Sequence, residues 1–156
     1  MPRVLVLLFV SLVAVAIAGA DGMLDPSFGN GGIVTTNFPG AVAPIESALS
    51  LVVLPDGRAV AAGAWNQFGD LRMGVARYLP SGALDTTFSG DGLATVDCPI
   101  GFPGGEATRV LLQPDGRLVL IGTCVGPPPG MVFWLARLNA DGSLDPSFGS
   151  GGHGFR

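Results

Sequence analysis

The chain has 156 residues, of which 48% are hydrophobic and 13% are charged, a balance that excludes a disordered chain held open by its charge. All eight basic residues are Arg, the formal net charge is −4 and no basic run occurs, so a surface that follows nucleic-acid phosphates is excluded as well. The 25 Gly and 13 Pro follow no G-X-Y period and indicate many turns rather than collagen.

The first predicted element is an export signal over residues 1–20. Arg3 supplies a short positive region, an apolar run extends from Val4 to Ala18, and Ala18-Gly19-Ala20 offers the small residues that a signal peptidase accepts. A membrane anchor is the alternative, but about 20 apolar residues are needed to cross a bilayer. We therefore expect a mature domain of residues 21–156 that is secreted or periplasmic and has no membrane contact after signal removal.

A repeat of 60 residues dominates the rest of the chain. Leu24-Asp25-Pro26-Ser27-Phe28 recurs as Leu84-Asp85-Thr86-Thr87-Phe88 and as Leu144-Asp145-Pro146-Ser147-Phe148. We call this segment the L-D motif; it defines repeat 1 (about 24–83), repeat 2 (about 84–143) and a partial third repeat (144–156). Each Asp is predicted to accept from the backbone N–H two residues on, and each Phe to hold the loop against a neighbouring unit. The predicted structural residues of the motif are Asp25, Phe28, Asp85, Phe88, Asp145 and Phe148.

Each full repeat predicts four short strands, two of them joined by a Pro-Asp-Gly hairpin turn at Asp56-Gly57 and at Asp115-Gly116. The strands are nearly continuously apolar, so both sheet faces are expected to be covered. The predicted fold is all-β: two four-stranded antiparallel blade-like repeats, in partial β-propeller or sandwich-like packing, after an N-terminal signal helix. The predicted strands are Ile33 to Phe38, Ala48 to Leu54, Arg58 to Trp65, Arg72 to Leu79, Leu93 to Cys98, Val110 to Leu112, Leu118 to Ile121 and Met131 to Leu138.

The combination of L-D-x-[ST]-F, P-D-G-R and A-R-[YL] at these spacings resembles the delta-60 repeat family, a β-propeller repeat of bacterial secreted proteins. The resemblance spans almost all of residues 22–156 and implies a propeller-like architecture without assigned catalytic residues. Propellers close with about four to eight blades, whereas this chain offers two. Each end is therefore expected to leave an apolar face. Three solutions stay open: self-association into a ring, collapse into one sandwich, or a fragment of a longer gene.

Two cysteines, Cys98 and Cys124, form an even pair in a chain predicted to be exported, where a disulfide is permitted. Two separate buried thiols are the alternative, because geometry decides whether a bond forms. Phe38 and Trp65 fill the corresponding positions of repeat 1, so any bond is particular to repeat 2.

Loops that differ between the repeats are candidate binding regions. Trp65, Phe68, Phe102 and Pro128 represent the aromatic and proline residues of these loops. They form either a ligand or partner surface, or packing plugs over the ends of the blades.

Catalytic and metal chemistry find little support in the sequence. His153 is the single histidine, and zinc needs three or four converging ligands. Asp85, Asp91 and Asp145 lie in glycine-rich loops and are weak Ca²⁺ candidates, although each can cap a turn alone. The two glutamates, Glu46 and Glu106, are 60 residues apart and are interpreted as equivalent repeat positions with a shared structural role.

We therefore expect a secreted non-enzymatic repeat protein without a cofactor, acting as a binding, surface or scaffold module. Its expected partner is an unknown protein or glycan, or a second copy that associates through exposed blade faces. The alternatives are a secreted carboxylate-based hydrolase acting on glycans, and a truncated repeat fragment without independent function.

Overall fold

A computed structural model describes residues 22–67, 70–98, 102, 104–126 and 130–149. The predicted signal, Phe68 and Pro128 lie outside these residues. The described part contains no helix and therefore none that is long and apolar enough to cross a membrane. Its seven strands are β1 (Ala41–Val53), β2 (Ala59–Gln67), β3 (Asp70–Tyr78), β4 (Leu93–Val96), β5 (Gly104–Leu112), β6 (Leu118–Val125) and β7 (Met131–Leu138).

The strands form two antiparallel sheets. Sheet 1 has the order β1-β2-β3-β4, and sheet 2 has the order β5-β6-β7. This arrangement confirms the all-β fold with two blade-like sheets, which are not closed into a ring. Sheet 2 was predicted to have four strands but has three in the described part of the chain, because the strand predicted over Leu93 to Cys98 in repeat 2 forms β4 and joins sheet 1.

The Pro-Asp-Gly turns connect β1 to β2 and β5 to β6. Gly57 and Gly116 have φ values of 84° and 83°, a region that a side chain disfavours, and each donates its N–H to a carbonyl three residues back, at 3.0 Å. The Asp of each turn accepts the N–H of the following Arg at 3.1 Å. Local chemistry alone therefore builds the same hairpin twice.

The strand predicted over Ile33 to Phe38 is wrong. Ile33 makes only an isolated bridge, to Asn30, and the residues after it form no strand. The corresponding residues of repeat 2 form β4, which pairs with β3 of the repeat before it. No β3-type strand precedes residues 33–38 within the described residues, so this segment has no edge to pair with. Each sheet is therefore offset from the sequence repeat, since the strand after an L-D motif completes the preceding sheet.

One hydrophobic core lies between the two sheets. Cross-strand partners share a face in an antiparallel sheet, so the register defines an inner face on each sheet that points to the other. Trp134, Phe88 and Met73 are the largest fully buried side chains in this core. The inner face of sheet 1 carries Val60, Ala62, Met73, Val75, Ala94 and Val96, and that of sheet 2 carries Ala107, Val110, Leu118, Leu120, Cys124, Trp134, Ala136 and Leu138.

Candidate functional site

The three L-D motifs form the same turn. In the second, Asp85 Oδ1 accepts the Thr87 N–H at 3.1 Å and the Thr87 hydroxyl at 2.6 Å. In the third, Asp145 accepts the same two donors of Ser147 at 3.0 and 2.7 Å. Asp25 does so with Ser27 at 2.9 and 2.6 Å. A short polar side chain that bonds its own backbone two residues on is sufficient to fix this turn.

Two arginines bind the carboxylate of the second motif and of the third. Asp85 Oδ2 accepts from Arg77 Nε at 2.8 Å and from Arg58 Nη1 at 3.0 Å. In the third motif, Arg137 Nε lies 2.8 Å and Arg117 Nε 3.4 Å from Asp145 Oδ2. These recurring arginines therefore pair with nearby carboxylates instead of forming a row of cations that is open to a ligand.

The same arginines cover the motif phenylalanines. The guanidinium carbon of Arg77 lies 4.6 Å from the centre of the Phe88 ring, and that of Arg137 lies 4.7 Å from the centre of the Phe148 ring. A guanidinium on an aromatic face is favourable, more so when water is excluded. Arg, Asp and Phe thus form one cluster in the second motif and one in the third, and we call each an Arg-Asp-Phe cluster.

The pKa of each clustered carboxyl is lowered. The pKa of Asp85 falls well below its ordinary value, chiefly because the Thr87 hydroxyl donates to it and then because Arg58 does. Hydrogen bonds from the hydroxyl and N–H of Ser147, followed by Arg137, lower the pKa of Asp145 to about 2. A carboxyl that donates a proton in catalysis needs a raised pKa instead. The geometry therefore suits holding a loop, and it does not suit acid catalysis.

The calcium candidates do not converge on a site. Asp85 and Asp145 each belong to a different Arg-Asp-Phe cluster, and the exposed Asp91 accepts the Leu93 N–H at 2.9 Å. Among the residues that the structure describes, no three His, Cys, Asp or Glu side chains are grouped to hold a metal ion.

The two glutamates are not equivalent, contrary to their spacing. Glu46 lies opposite Trp65 and accepts the Phe38 N–H at 2.7 Å, whereas Glu106 lies opposite Thr123. Cys124, the counterpart of Trp65, lies opposite Gly105, so Gly105 and not Glu106 corresponds to Glu46 in the register. When the repeats are aligned, the two glutamates are therefore one residue apart and lie on opposite faces. The residue that repeat 2 lacks is lost before Glu106, and a slip of one residue reverses the face of a strand.

The cysteines are bonded to each other. Cys98 follows β4 of sheet 1 and Cys124 lies on β6 of sheet 2, so the disulfide joins the two sheets, with its Cα atoms 5.9 Å apart. In repeat 1 the corresponding Phe38 and Trp65 rings stack, with centroids 5.2 Å apart and planes at 19°. A covalent bond and a stacked aromatic pair thus occupy the same place in successive repeats.

The predicted binding-loop residues serve packing where the structure describes them. Trp65 is a strand residue of β2 and is 3% exposed, and Phe102 is half-buried against the core. They therefore form no shared exposed surface. Phe68 and Pro128 lie outside the described residues.

A polar cleft lies beside Trp65. It has a volume of about 360 Å³ and is lined by Phe38, Pro39, Trp65, Arg72, Asp91, Leu93, Thr95 and Asp97. Arg72 Nη1 pairs with Asp97, but the buried Arg72 Nε and Trp65 Nε1 have no hydrogen-bond partner in the described part of the chain. Buried donors without a partner are costly and mark a place where an acceptor fits.

Each sheet also has an outer face, directed away from the inner interface. The apolar strands predicted that it is covered, whereas the count of two repeats predicted an apolar face left free at each end. On sheet 2, Phe133 is 68% exposed, and Leu111 and Met131 are also exposed. On sheet 1, Leu51 is 61% exposed, as is Val53. Their repeat counterparts are buried: that of Phe133 is Met73, and that of Leu51 is Val110. The prediction that both sheet faces are covered is therefore wrong for the outer face of sheet 2 and for β1 on the outer face of sheet 1, whereas Phe38 covers Trp65 and Gly74 on the latter face.

A sequence profile described as a domain of unknown function (DUF5122), β-propeller, matches residues 54–88 and 132–148. The first stretch contains a Pro-Asp-Gly turn, β2, β3 and an L-D motif, and the second contains most of β7 and the third L-D motif. No curated protein and no solved structure matches the chain. Over these two stretches the chain is similar to a β-propeller family, which agrees with the predicted propeller-like repeat, while the delta-60 name stays a prediction.

Proposed function

We propose that the protein is an exported, non-catalytic module of the β-propeller type, and that it binds a protein partner through the outer faces of its sheets. The observation that carries the proposal is the exposure of Leu51, Leu111 and Phe133 at positions whose repeat counterparts are buried or half-buried. Contiguous exposed apolar surface on a folded domain is typical of an interaction site.

The alternative of a carboxylate hydrolase is less well supported. Wherever the pKa of an Asp departs clearly from its ordinary value in the described residues, it is lowered, as at Asp56 by the Arg58 side chain and at Asp141 by the Ser143 hydroxyl. A glycosidase needs one carboxyl with a raised pKa facing a second carboxylate across the scissile bond. The carboxylates of the L-D motifs instead hold turns.

A photo-reactive p-benzoylphenylalanine in place of Phe133 tests the proposal on the mature chain. We expect the probe to cross-link to protein under native conditions, and the same probe in place of Thr86, an exposed loop residue of the second L-D motif off both outer faces, to cross-link far less. Equal labelling from both positions would contradict binding through the outer face. Release of reducing ends from polysaccharides by the pure chain would contradict the absence of catalysis.

A second candidate function is binding of a small hydroxylated ligand, such as a sugar, in the cleft beside Trp65. The two unpartnered donors favour it, because a hydroxyl oxygen can accept from Trp65 Nε1 or Arg72 Nε while its own hydrogen is donated to Asp97. Calorimetric titration with mono- and disaccharides tests it. Trp65→Phe keeps a ring and removes the donor, so it should weaken binding about tenfold, whereas Arg109→Lys on the other sheet should not. Equal binding by Trp65→Phe rejects this site.

A further inference from the structure

We propose that the partner of the outer faces is a second copy of this chain. The outer face of sheet 2 in one copy stacks on the outer face of sheet 1 in the next, as the two inner faces stack within one chain. This inference rests on the proposed function and deepens it. Because the two surfaces differ, the contact is head-to-tail and yields a ring if the rotation closes. Two sheets per chain make about two to four copies the size of a ring of four to eight blades.

The two outer faces are the repeat counterparts of the two inner faces. Within the chain, the inner face of sheet 1 carries Val60 and Met73, and the inner face of sheet 2, which lies opposite, carries Val110 and Leu120. All four side chains are buried. The outer face of sheet 2 is the repeat counterpart of the first surface, and the outer face of sheet 1 is the counterpart of the second. The outer face of sheet 2, and the part of the outer face of sheet 1 that residues 34–38 leave uncovered, therefore match the two halves of an interface that already exists.

Side-chain volume favours the same pairing. At the inner interface, β2 contributes Val60 and the small Ala62, and β6 contributes Leu118 and Leu120. On the outer faces, β2 presents Ala59 and Ala61 beside Trp65, which Phe38 covers, while β6 presents Val119 and Ile121. Stacking sheet 2 on sheet 1 thus places the larger side chains of β6 mostly on alanines of β2. Sheet 2 against a second sheet 2 would place large on large, which disfavours a symmetric dimer.

Arg77 makes a hydrogen bond between the sheets for which its counterpart, Arg137, has no equivalent among the described residues. Arg77 pairs with Asp85, and it also donates from Nη1 to the carbonyl of Ala140, which lies in the loop after β7 of sheet 2. Its counterpart Arg137 makes the matching bonds to Asp145 and Ser147, yet no bond from its Nη1 occurs within the described residues. The counterpart of Ala140 is Pro80, whose carbonyl a second copy would bring to this position.

A strand edge and a segment that are both unpaired among the described residues also fit each other. β7 pairs on one side with β6, and its other edge has no strand in the described part of the chain. Residues 33–36, the counterpart of β4, likewise pair with no strand there. Joined in the register that β4 uses on β3, Val34 of one copy would lie opposite Leu135 of the other. Strand addition to an open edge satisfies backbone groups on both chains.

The first L-D motif currently occupies the place that the third motif of another copy would take. Gly29 donates to the Ser81 carbonyl at 2.8 Å, as Ser89 donates to the Asp141 carbonyl at 2.7 Å. Asp25 is exposed and has no arginine partner among the described residues, whereas Asp145 is buried and has two. The first motif is held less firmly, so it is the one that yields when two copies stack.

Light scattering on the mature chain, with two blocked variants, tests the inference. Phe133→Glu places a charge on the outer face of sheet 2, and Leu51→Glu does so on the outer face of sheet 1. We expect the wild type to gain mass with concentration, and each variant alone to need at least about tenfold more protein to associate, because a charge cannot be buried unpaired. Thr86→Glu, at an exposed loop position of the second L-D motif off both faces, is the control and should behave as the wild type.

A 1:1 mixture of the two variants gives the decisive outcome. Each variant keeps the face that the other has lost, so the mixture should form a species of two chains and no larger one. This result also shows that both variants are folded. A mixture that stays monomeric overturns the inference, as does self-association of Leu51→Glu alone, which would indicate that sheet 2 binds itself.

The photo-reactive probe at position 133 separates this inference from the proposed function. Cross-links to β1 or β2 of a second copy support both. Cross-links to a different protein overturn the inference and leave the proposed function standing. An absence of cross-links to any protein overturns both.

Discussion

Arg77 donates from Nε to Oδ2 of Asp85 at 2.8 Å, and the two side chains are 5% and 4% exposed. Arg137 and Asp145 form the same bond at the same distance, but Arg137 is 18% exposed. The difference follows from position, because the first pair lies where the two sheets meet and the second lies on a free outer face.

Removing the buried arginine should cost more than removing its counterpart. Arg77→Ala leaves Asp85 buried with only Arg58 beside it and removes the bond to Ala140, so we expect a loss of about 3 kcal/mol in the free energy of unfolding. Arg137→Ala should cost clearly less, since water reaches that pair. Urea unfolding of both variants measures the difference, and equal losses would show that the two clusters lie in the same environment.

Reduction of the disulfide should destabilise the mature protein. The bond between Cys98 and Cys124 closes a loop with a sequence separation of 26, which corresponds to about 3.5 kcal/mol of loop entropy in the unfolded chain. Urea unfolding with and without a reductant measures it. A variant with both cysteines replaced by Ala serves as the control, since the reductant must have no effect on it.

Stability should fall only at strongly acidic pH. The carboxyls of Asp85 and Asp145 have a lowered pKa in the folded chain, about 2 for Asp145, against about 3.9 when unfolded. Between these values the unfolded chain binds more protons than the folded chain. The contribution of these two carboxyls to the free energy of unfolding is therefore fully present above about pH 4 and is lost as the pH falls toward 2. Urea midpoints between pH 2 and 7 should show this slope, and Asp85→Asn with Asp145→Asn should flatten it. An unchanged slope in the double variant would assign the acid sensitivity to other groups.

Two strand glycines should resist replacement. A Cβ at Gly63 would overlap the carbonyl of Ser47, and one at Gly122 would overlap that of Glu106. Gly63→Ala and Gly122→Ala should therefore unfold the chain or sharply lower its melting temperature. Gly116→Ala, whose Cβ meets no neighbour, should cost only about 1 kcal/mol for its positive φ. Similar melting temperatures for all three would contradict the close strand approach.

Shortening the chain at its first L-D motif should promote stacking. A mature chain that starts at Gly31 lacks the bond from Gly29 to Ser81 and exposes the site for another copy's third motif. Its association, followed by light scattering, should begin at a lower concentration than that of the chain starting at Asp21. Weaker association would show that the first motif is part of the contact instead of a competitor.

The features that the sequence predicted well are local ones. The Pro-Asp-Gly hairpins and the turn at Asp85 depend on residues within two or three positions, so their residue types are sufficient. The completion of sheet 1 by β4 depends on pairing with β3, some 20 residues earlier, and no local pattern reports it. The same applies to Glu46 and Glu106, because the position of a lost residue cannot be read from spacing alone.

The candidate binding surfaces were predicted only in outline. Two repeats imply a free apolar face at each end, but the residues on those faces depend on strand register. Trp65 was selected as an aromatic in a variable loop, yet its pairing with Arg72 places it on β2 beneath Phe38. Phe133 is the most exposed of the apolar residues on the two outer faces. The sequence of its strand is almost continuously apolar, as expected for a strand buried on both faces, so the residue pattern alone does not reveal this exposure.

Amide hydrogen exchange of the wild-type mature chain at low and high concentration tests most directly whether the outer sheet faces are binding surfaces. The account predicts that exchange slows with concentration in peptides covering β7 and residues 33–36, where open backbone groups become paired, while the β2 and β3 peptides stay unchanged. Identical exchange at every concentration, or slowing confined to the Pro-Asp-Gly turns, would contradict it.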